Sequence, residues 1–173
     1  PERIRAIYEM LEEEKGLVSL ILIPPRPATE KEIALIHTQE YVEQIKATAG
    51  RERVYLDPDT STSPRSYEVS LLAAGGLLEA ADRIMAGKVG NAFALVRPPG
   101  HHAEASQAKG FCIFNNIAIA AQYLVEKFGL RRILIVDWDL HHGNGTQNAF
   151  YSRDDILYFS THQFPYYPGS GHW

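Results

Sequence analysis

The 173-residue sequence contains one cysteine, Cys112, which excludes an internal disulfide and with it the class of secreted disulfide-stapled domains. It also lacks an apolar run long enough to cross a bilayer. The longest runs, residues 17–23 and 92–96, are far shorter than the roughly 20 residues of a spanning helix. The charged first residues contain no signal-peptide core. These absences predict a cytoplasmic protein with no membrane partner.

Neither sign of charge forms a long run in the sequence. The net charge is −4, and no basic cluster of the kind that binds nucleic acid is present, so we expect no direct nucleic-acid partner. With 45% hydrophobic and 22% charged residues, the composition is that of an ordinary globular domain. The length fits a single domain with its own core.

Apolar runs alternate with helical patterns along the sequence, which predicts an α/β fold. The predicted buried strands are residues 17–23, 91–96, 133–136 and 156–160. The first predicted helix runs from Ile4 to Leu11, with Gly16 after its end, and the second runs from the Thr29/Glu32 capping box toward Ile36. The third covers residues 40–47. The fourth starts at Ser63-Pro64 and runs to about Ala86, and the fifth covers residues 116–128. Residues 50–63 are predicted to be a polar loop. The alternation indicates three α/β/α layers around a central parallel sheet covered on both faces.

Polar clusters follow three of the predicted strands. They are residues 101–102, residues 137–142 and residues 160–162. Ligand sites in parallel sheets lie beyond the carboxyl ends of the strands, so these clusters are expected to meet at one edge.

The segment after the 133–136 strand has an Asp-x-Asp-x-His pattern. Asp137, Asp139 and His141 alternate and are expected to share one face of extended backbone. Carboxylate oxygens and imidazole nitrogens are ligands for zinc and other divalent metals. The alternative is a polar loop whose turns use Gly143 and Gly145, but the position directly after an apolar strand favours a metal site.

A catalytic zinc usually takes three protein ligands. Asp139 and His141 supply two, and no other residue of this sequence stands out as the third. The sequence is therefore predicted to be a truncated single domain, 1–173, that lacks its C-terminal part.

Two histidines, His101 and His102, form the second cluster, within the RPPGHHA segment at 97–103. Histidine is the usual general acid or base near neutral pH, so this pair is a candidate for proton transfer. A surface turn whose histidines have no function is the alternative.

Aromatic residues near these clusters are candidates for a pocket wall. Phe111 lies in the GFCIFNN segment at 110–116, and Tyr167 lies in an aromatic loop near the end. Packing in the core is the alternative for both, and Cys112 is expected to be a buried, inert thiol.

In combination the motifs resemble the histone deacetylase superfamily. RPPGHHA at 97–103, GFCIFNN at 110–116 and DWDLHHGNGTQ at 137–147 occur in the order of that family, and Trp138 and Asn144 are more similar to its class II and bacterial members. The resemblance implies an arginase/deacetylase-type fold, incomplete here, and a zinc-dependent enzyme.

The resemblance also implies the roles of individual residues. Asp139 and His141 would bind zinc, with a further aspartate and a transition-state tyrosine beyond Trp173. His101 would lean on Asp137 and His102 on Asn144, and the assignment of base and acid between the two histidines stays open. A structural potassium ion would use Asp137, Asp139, Ser160 and the carbonyls of His141 and Thr161, with a second monovalent site near residues 150–156.

Gly110, Phe111 and Tyr167 would line the acyl-lysine tunnel, and Asp59 would grip the substrate at its rim, unless it is an ordinary solvated loop aspartate. The expected reaction is hydrolysis of acetyl-lysine in a peptide or protein, or of an acetylated polyamine, and a homo-oligomer is compatible with it. Two other readings stay open: a binuclear manganese ureohydrolase, which typically has an Asp-x-His-x-Asp order, and an inactive acyl-binding or scaffold module.

Overall fold

The computed structural model describes residues 2–13 and 20–172, in which helices and strands are mixed. The helices are α1 (Glu2–Glu13), α2 (Glu30–Ile33), α3 (Gln39–Lys46), α4 (Ser66–Met85), α5 (Asn116–Phe128) and α6 (Asn144–Phe150). The strands are β1 (Val54–Asp57), β2 (Thr60–Thr62), β3 (Ile133–Asp137) and β4 (Ile156–Ser160). β1 and β2 pair antiparallel, β3 and β4 pair parallel, and the predicted α/β class is confirmed.

Local side-chain chemistry sets the starts of the short helices. Thr29 and Glu32 form the predicted capping box of α2, which ends at Ile33, before the expected Ile36. The Thr38 side chain accepts a hydrogen bond from the third residue of α3, which lies within one residue of its predicted range. Helix α1 is also confirmed, whereas Gly16 lies outside the described residues.

Helix α5 occupies its predicted range. The Asn115 side chain accepts from the N–H of Ala118 at its start, and Gly129 ends it in the left-handed conformation, with φ 67°. Helix α4 has 20 residues and is longer than α5, which has 13. No helix in the described part of the chain combines the length and the hydropathy needed to cross a bilayer.

Two predicted strands are not observed in residues 2–13 and 20–172. Residues 20–23 and 91–96 belong to no strand pair there, while residues 17–19 lie outside the described ranges. The side chains of Leu22 and Phe93 are 84% and 82% exposed. A strand requires a hydrogen-bonded neighbour, which an apolar pattern does not encode, so the strand predictions for residues 20–23 and 91–96 were wrong.

The predicted loop at 50–63 contains the β1–β2 hairpin instead. Val54 pairs with Thr62 and Tyr55 with Ser61. The polar composition concealed these strands, although threonine is β-branched and favours extended backbone.

The start of α4 also differs from the prediction. The helix begins at Ser66 with Arg65 as its N-cap, and Pro64 lies before it. The backbone N–H of Ser63 donates to the hydroxyl of Ser66, and the N–H of Ser66 donates back to the carbonyl of Ser63. Ser63 therefore closes a turn before the helix and does not cap it.

The parallel β3–β4 pair has one packed face. Ile135 and Ile156 pack with Ala118 and Ala121 of α5 and with Phe150 of α6. The opposite face carries four apolar side chains that are between 47% and 66% exposed: Leu134, Val136, Leu157 and Phe159. The predicted cover on both faces is thus seen on one face only in the part of the chain that the structure describes.

The larger core lies between α2, α3, α4 and α5, and it includes the apolar centre of the GFCIFNN segment. Ile113 and Phe114 are buried in it, together with Val42, Ile45 and Leu78. The core thereby fixes the segment that leads from the candidate site into α5.

A buried histidine joins this core to two of the motif segments. His37 Nδ1 lies 2.9 Å from the carbonyl oxygen of Glu104, and His37 Nε2 accepts from the N–H of Asn115 at 2.9 Å. Burial lowers the pKa of His37 to about 4. The ring is therefore neutral at pH 7, with its proton on Nδ1.

Candidate active site

A carboxylate holds the first histidine of the pair. His101 Nδ1 lies 2.9 Å from Asp137 Oδ2, and the hydroxyl of Tyr158 donates to the same oxygen at 3.0 Å. Burial raises the pKa of Asp137, but hydrogen bonds, led by that from His101, outweigh it, so the net shift of this pKa is downward. Asp137 is therefore an ionised acceptor that keeps a proton on His101 Nδ1.

An amide holds the second histidine. His102 Nδ1 lies 2.9 Å from Asn144 Oδ1, and both residues are buried. The centroids of the His101 and His102 rings are 4.0 Å apart. Burial and the neighbouring His101 lower the pKa of His102 to about 4. The His102 ring is neutral at pH 7 and able to accept a proton.

The two predicted zinc ligands lie together. Asp139 Oδ1 is 3.0 Å from His141 Nδ1, and the side chains are 50% and 41% exposed. Two tetrahedral ligand atoms about 2 Å from zinc are separated by about 3.3 Å, so this spacing fits a shared ion. In the described residues no third Asp, Glu, His or Cys completes a metal-binding group with them. The pair therefore fits as a partial zinc site.

Glycines allow the backbone to approach the two histidine dyads, His101–Asp137 and His102–Asn144. A Cβ at Gly143 would lie 2.4 Å from Asp137 Oδ2, and one at Gly110 would lie 2.4 Å from His102 Cδ2. Gly110 also has a φ of 57°. A side chain at either position would displace a member of a dyad.

The start of α6 is bonded to the histidine segment. The N–H groups of Gly145 and Thr146 donate to the carbonyl of His101 at 3.0 and 3.2 Å. A Cβ at Gly145 would lie 2.1 Å from the carbonyl oxygen of Ala103. The backbones of two motifs are thus in direct contact beneath the site.

The β1–β2 turn holds the loop that carries Phe111. Asp59 Oδ1 accepts from the N–H of Gly110 at 3.1 Å, and Thr60 Oγ1 accepts from the N–H of Phe111 at 2.9 Å. Phe111 has a φ of 65° and is 61% exposed. Asp59 and Phe111 both line an open groove of about 490 Å³, which also includes Arg97. The groove includes the predicted rim residue and one predicted wall residue but not Tyr167, and the binding roles of all three stay predictions.

Tyr167 lies against the imidazoles. Its ring centroid is 4.9 Å from that of His102, nearly perpendicular to it, and 6.2 Å from that of His141. Burial and the charge of Asp59 raise the pKa of Tyr167, so the hydroxyl stays protonated. The structure thus brings Tyr167 to the candidate metal pair.

Two further histidines hold the loop of Tyr167. His142 Nδ1 lies 2.9 Å from Ser170 Oγ, and His162 Nε2 lies 2.8 Å from the carbonyl oxygen of Gly171. The sequence pattern assigned no role to either ring.

Residues 1–173 match the family model described as a histone deacetylase domain. This chain belongs to the histone deacetylase family. The resemblance of the three motifs is thereby confirmed.

Three curated relatives are similar over nearly the whole chain. Histone deacetylase HDA1 of Saccharomyces cerevisiae is 41% identical over 98% of this chain and 27% of its own length. A probable deacetylase of Archaeoglobus fulgidus is 40% identical over 99% of this chain and 48% of its own. A histone deacetylase-like amidohydrolase of Pseudomonas aeruginosa is 39% identical over 97% and 44%.

A solved structure supports the fold. The crystal structure of the HDA15 HD domain superposes with a TM-score of 0.93 and 40% identity, and it matches 99% of this chain and 49% of that one. The expected deacetylase-type α/β fold is confirmed in part of its extent. The chain spans less than half the length of each of these relatives.

Several residues of the predicted potassium site are neighbours. Asp137 and Ser160 are register partners in the β3–β4 pair, and the N–H of Thr161 donates to the carbonyl of Asp137 at 3.0 Å. The N–H of Asp139 donates to Asp137 Oδ1 at 3.1 Å. Potassium binding, at this site and at the second one, stays a prediction.

Sequence reasoning gave no role to Tyr158 or Glu104. Tyr158 is a polar aromatic in an otherwise apolar strand, and it also accepts from the N–H of Gly143 at 3.1 Å. Glu104 follows His102 by two residues and contacts Asn144. The only available signals were a phenol in a strand and a carboxylate next to the histidine pair.

Proposed function

We propose that this chain supplies the metal-binding and proton-transferring part of a zinc-dependent deacetylase. The observation that carries the proposal is the placement of His101 and His102, each bonded through Nδ1 to a side-chain oxygen, beside the Asp139–His141 pair. Groups with perturbed pKa values beside candidate metal ligands are typical of catalytic sites. The substrate is the acetyl amide of lysine or of a related amine.

Asp139 and His141 would hold the zinc ion in this proposal. When bound, zinc supplies Lewis acidity, which polarises an amide carbonyl and lowers the pKa of water. We propose that a third ligand, an aspartate, and a tyrosine that assists the reaction come from sequence beyond Trp173.

The two histidines divide the proton transfers. His102 is neutral, its Nδ1 proton is bonded to Asn144, and its Nε2 is free to take a proton from the attacking water. His101 has a carboxylate on Nδ1 that compensates the charge of a protonated ring, which suits delivery of a proton to the leaving amine. The Tyr167 ring packs against His102 at nearly a right angle.

The amine that carries the acetyl group is the part of the substrate that the proposal leaves undefined. Histone deacetylase HDA1 of yeast and polyamine deacetylase HDAC10 of Danio rerio, at 41% and 44% identity, are named for different substrates. The exposed Phe111 and the Asp59 carboxylate at the groove suit an extended cationic or peptide substrate.

The test is a turnover panel on the whole gene product, from its natural start to its natural stop codon. An acetyl-lysine peptide and acetylputrescine are compared with and without a metal chelator, and zinc is then restored. We expect amide hydrolysis that the chelator abolishes and zinc restores, and the preferred substrate identifies the acetylated amine. Chelator-resistant turnover, or none on either substrate, would contradict the proposal.

Metal analysis separates this proposal from a ureohydrolase. One zinc per complete domain agrees with the single Asp139–His141 pair. Two manganese ions per domain would favour the binuclear alternative.

A further inference from the structure

A carboxylate lies directly behind the Asn144 amide. Asn144 Nδ2 donates to Glu104 Oε1 at 2.5 Å and to the carbonyl oxygen of His102 at 3.3 Å. The two acceptors are thus a side-chain carboxylate oxygen and a backbone carbonyl oxygen.

The chemistry of the partners fixes the orientation of this amide. A carboxylate and a carbonyl can only accept hydrogen bonds, so the Asn144 atom that faces both is the nitrogen. The amide oxygen then faces His102 Nδ1, at 2.9 Å. Because that oxygen can only accept, His102 carries its proton on Nδ1 and a lone pair on Nε2.

We propose that Glu104 is a positioning residue, which holds the Asn144 amide in one orientation and thereby keeps His102 in the tautomer whose Nε2 accepts a proton. The inference rests on the proposed function, in which His102 is the base. A carboxylate behind a histidine needs no such help, since its two oxygens are both acceptors. An amide has one acceptor and one donor, so a third group must orient it.

Glu104 is itself held on several sides. Its N–H donates to the carbonyl of Gln107 at 2.9 Å, and its carbonyl accepts from His37 Nδ1 at 2.9 Å. Asn148 Nδ2 donates to its two carboxylate oxygens at 3.0 and 3.1 Å. Asn144 is only 6% exposed, so water has little access to the amide.

The opposite orientation of the amide would disable the base. The Asn144 nitrogen would then face His102 Nδ1, and His102 Nδ1 would have to accept a hydrogen bond. The imidazole proton would move to Nε2, where the base needs its lone pair. The damage falls on the proton-transfer step, so kcat changes and KM does not.

Four versions of the whole gene product test the inference: wild type, Glu104→Met, Asn144→Asp and the double variant. Methionine at position 104 has about the volume of glutamate but cannot accept the hydrogen bond from Asn144. We therefore expect kcat to fall about 10–100-fold and KM to stay within about twofold of wild type. Asn144→Asp alone places two carboxylates in contact and also lowers kcat. In the double variant the introduced carboxylate accepts from His102 without being oriented, and kcat recovers to within about threefold of wild type.

The matched control is Glu126→Met. Glu126 also accepts from a side-chain amide, that of Gln122 at 2.9 Å, but on the exposed surface of α5. We expect its kcat to equal that of wild type. If Glu104→Met keeps the wild-type kcat, or the double variant is no faster than Glu104→Met, the inference is overturned. An inactive wild type overturns the proposed function instead.

The His102 tautomer gives a readout that does not depend on turnover. In the metal-free gene product with ¹⁵N-labelled histidine, the His102 signals are assigned by their loss in His102→Gln. We expect a protonated Nδ1 in wild type and a population protonated on Nε2 in Glu104→Met. The same tautomer in both proteins overturns the inference whatever the activity is.

Discussion

His101 and His102 differ in the group that their Nδ1 atoms contact, which is a carboxylate for one and an amide for the other. An amide stabilises a positive imidazolium less than a carboxylate does, so the buried His102 favours its neutral form. Two adjacent rings whose Nδ1 atoms have different partners can serve as base and acid in one reaction.

The first prediction concerns His102. In the whole gene product, we expect His102→Ala to lower kcat by about 10²–10⁴-fold, because the proposed general base is lost. Zinc content, measured by elemental analysis, should equal that of wild type, since His102 is not a ligand in the proposal. Loss of zinc together with activity would contradict its role as base.

The second prediction reverses this pattern. Asp139→Ala removes one member of the pair whose donor atoms are 3.0 Å apart, so zinc content should fall along with activity. His102→Ala, analysed in parallel, is the control, because it is expected to lose activity and keep its zinc. Undiminished zinc in Asp139→Ala would refute the assignment of this ligand.

At the scale of elements, the sequence predicted best where local chemistry decides the structure. Helix α5 has a side-chain cap at Asn115 and a glycine at 129, and its limits were predicted to the residue. Residues 91–96 were predicted wrongly, since pairing with a distant neighbour is not encoded in the run itself. The β1–β2 hairpin was missed for the converse reason, because its pairing overrides a polar composition.

The candidate site shows the same division. Asp139 and His141 were predicted from their alternation after an apolar strand, which is local information. The contact of Asn144 with Glu104 spans 40 positions, and no local pattern encodes it. The long-range partners of the site residues could therefore not be predicted from the sequence.

Helices α2 and α3 reach the site through His37, which provides a third prediction. Its pKa is about 4 in the folded state and about 6.5 when unfolded, so the folded form disfavours protonation. The stabilising effect of the neutral ring is present above pH 6.5 and is lost as the pH falls toward 4. Relative to His37→Gln, wild type should lose about 2 kcal/mol of unfolding free energy between pH 7 and pH 5.

Denaturant unfolding of both metal-free proteins at a series of pH values measures this difference. Parallel pH profiles for wild type and His37→Gln would show that the ring is not held neutral by burial.

At the scale of the whole molecule, the outer face of the β3–β4 pair is the largest departure from the expected layers. Leu134 and Leu157 are register partners, 60% and 66% exposed, and Val136 and Phe159 extend the same face. Contiguous apolar side chains on a sheet favour association with another surface.

The fourth prediction is that the 173-residue chain, expressed by itself, self-associates at micromolar concentration. We expect Leu134→Lys combined with Leu157→Lys to shift it toward the monomer, as measured by light scattering after size-exclusion chromatography. Ile84→Lys with Met85→Lys, at partly exposed positions near the end of α4, is the matched control. A monodisperse wild-type monomer under the same conditions would contradict the prediction.

The contact between Gly145 and the His101 segment has a consequence for laboratory evolution. Two amide protons of α6 converge on one carbonyl, and no space exists for even a methyl group between the backbones. The backbone contact between α6 and the His101 segment therefore tolerates few substitutions, whereas the Phe111 side chain is largely exposed. Selection for longer or bulkier acyl chains should accumulate its productive substitutions around Asp59 and Phe111, leaving the interior motifs intact.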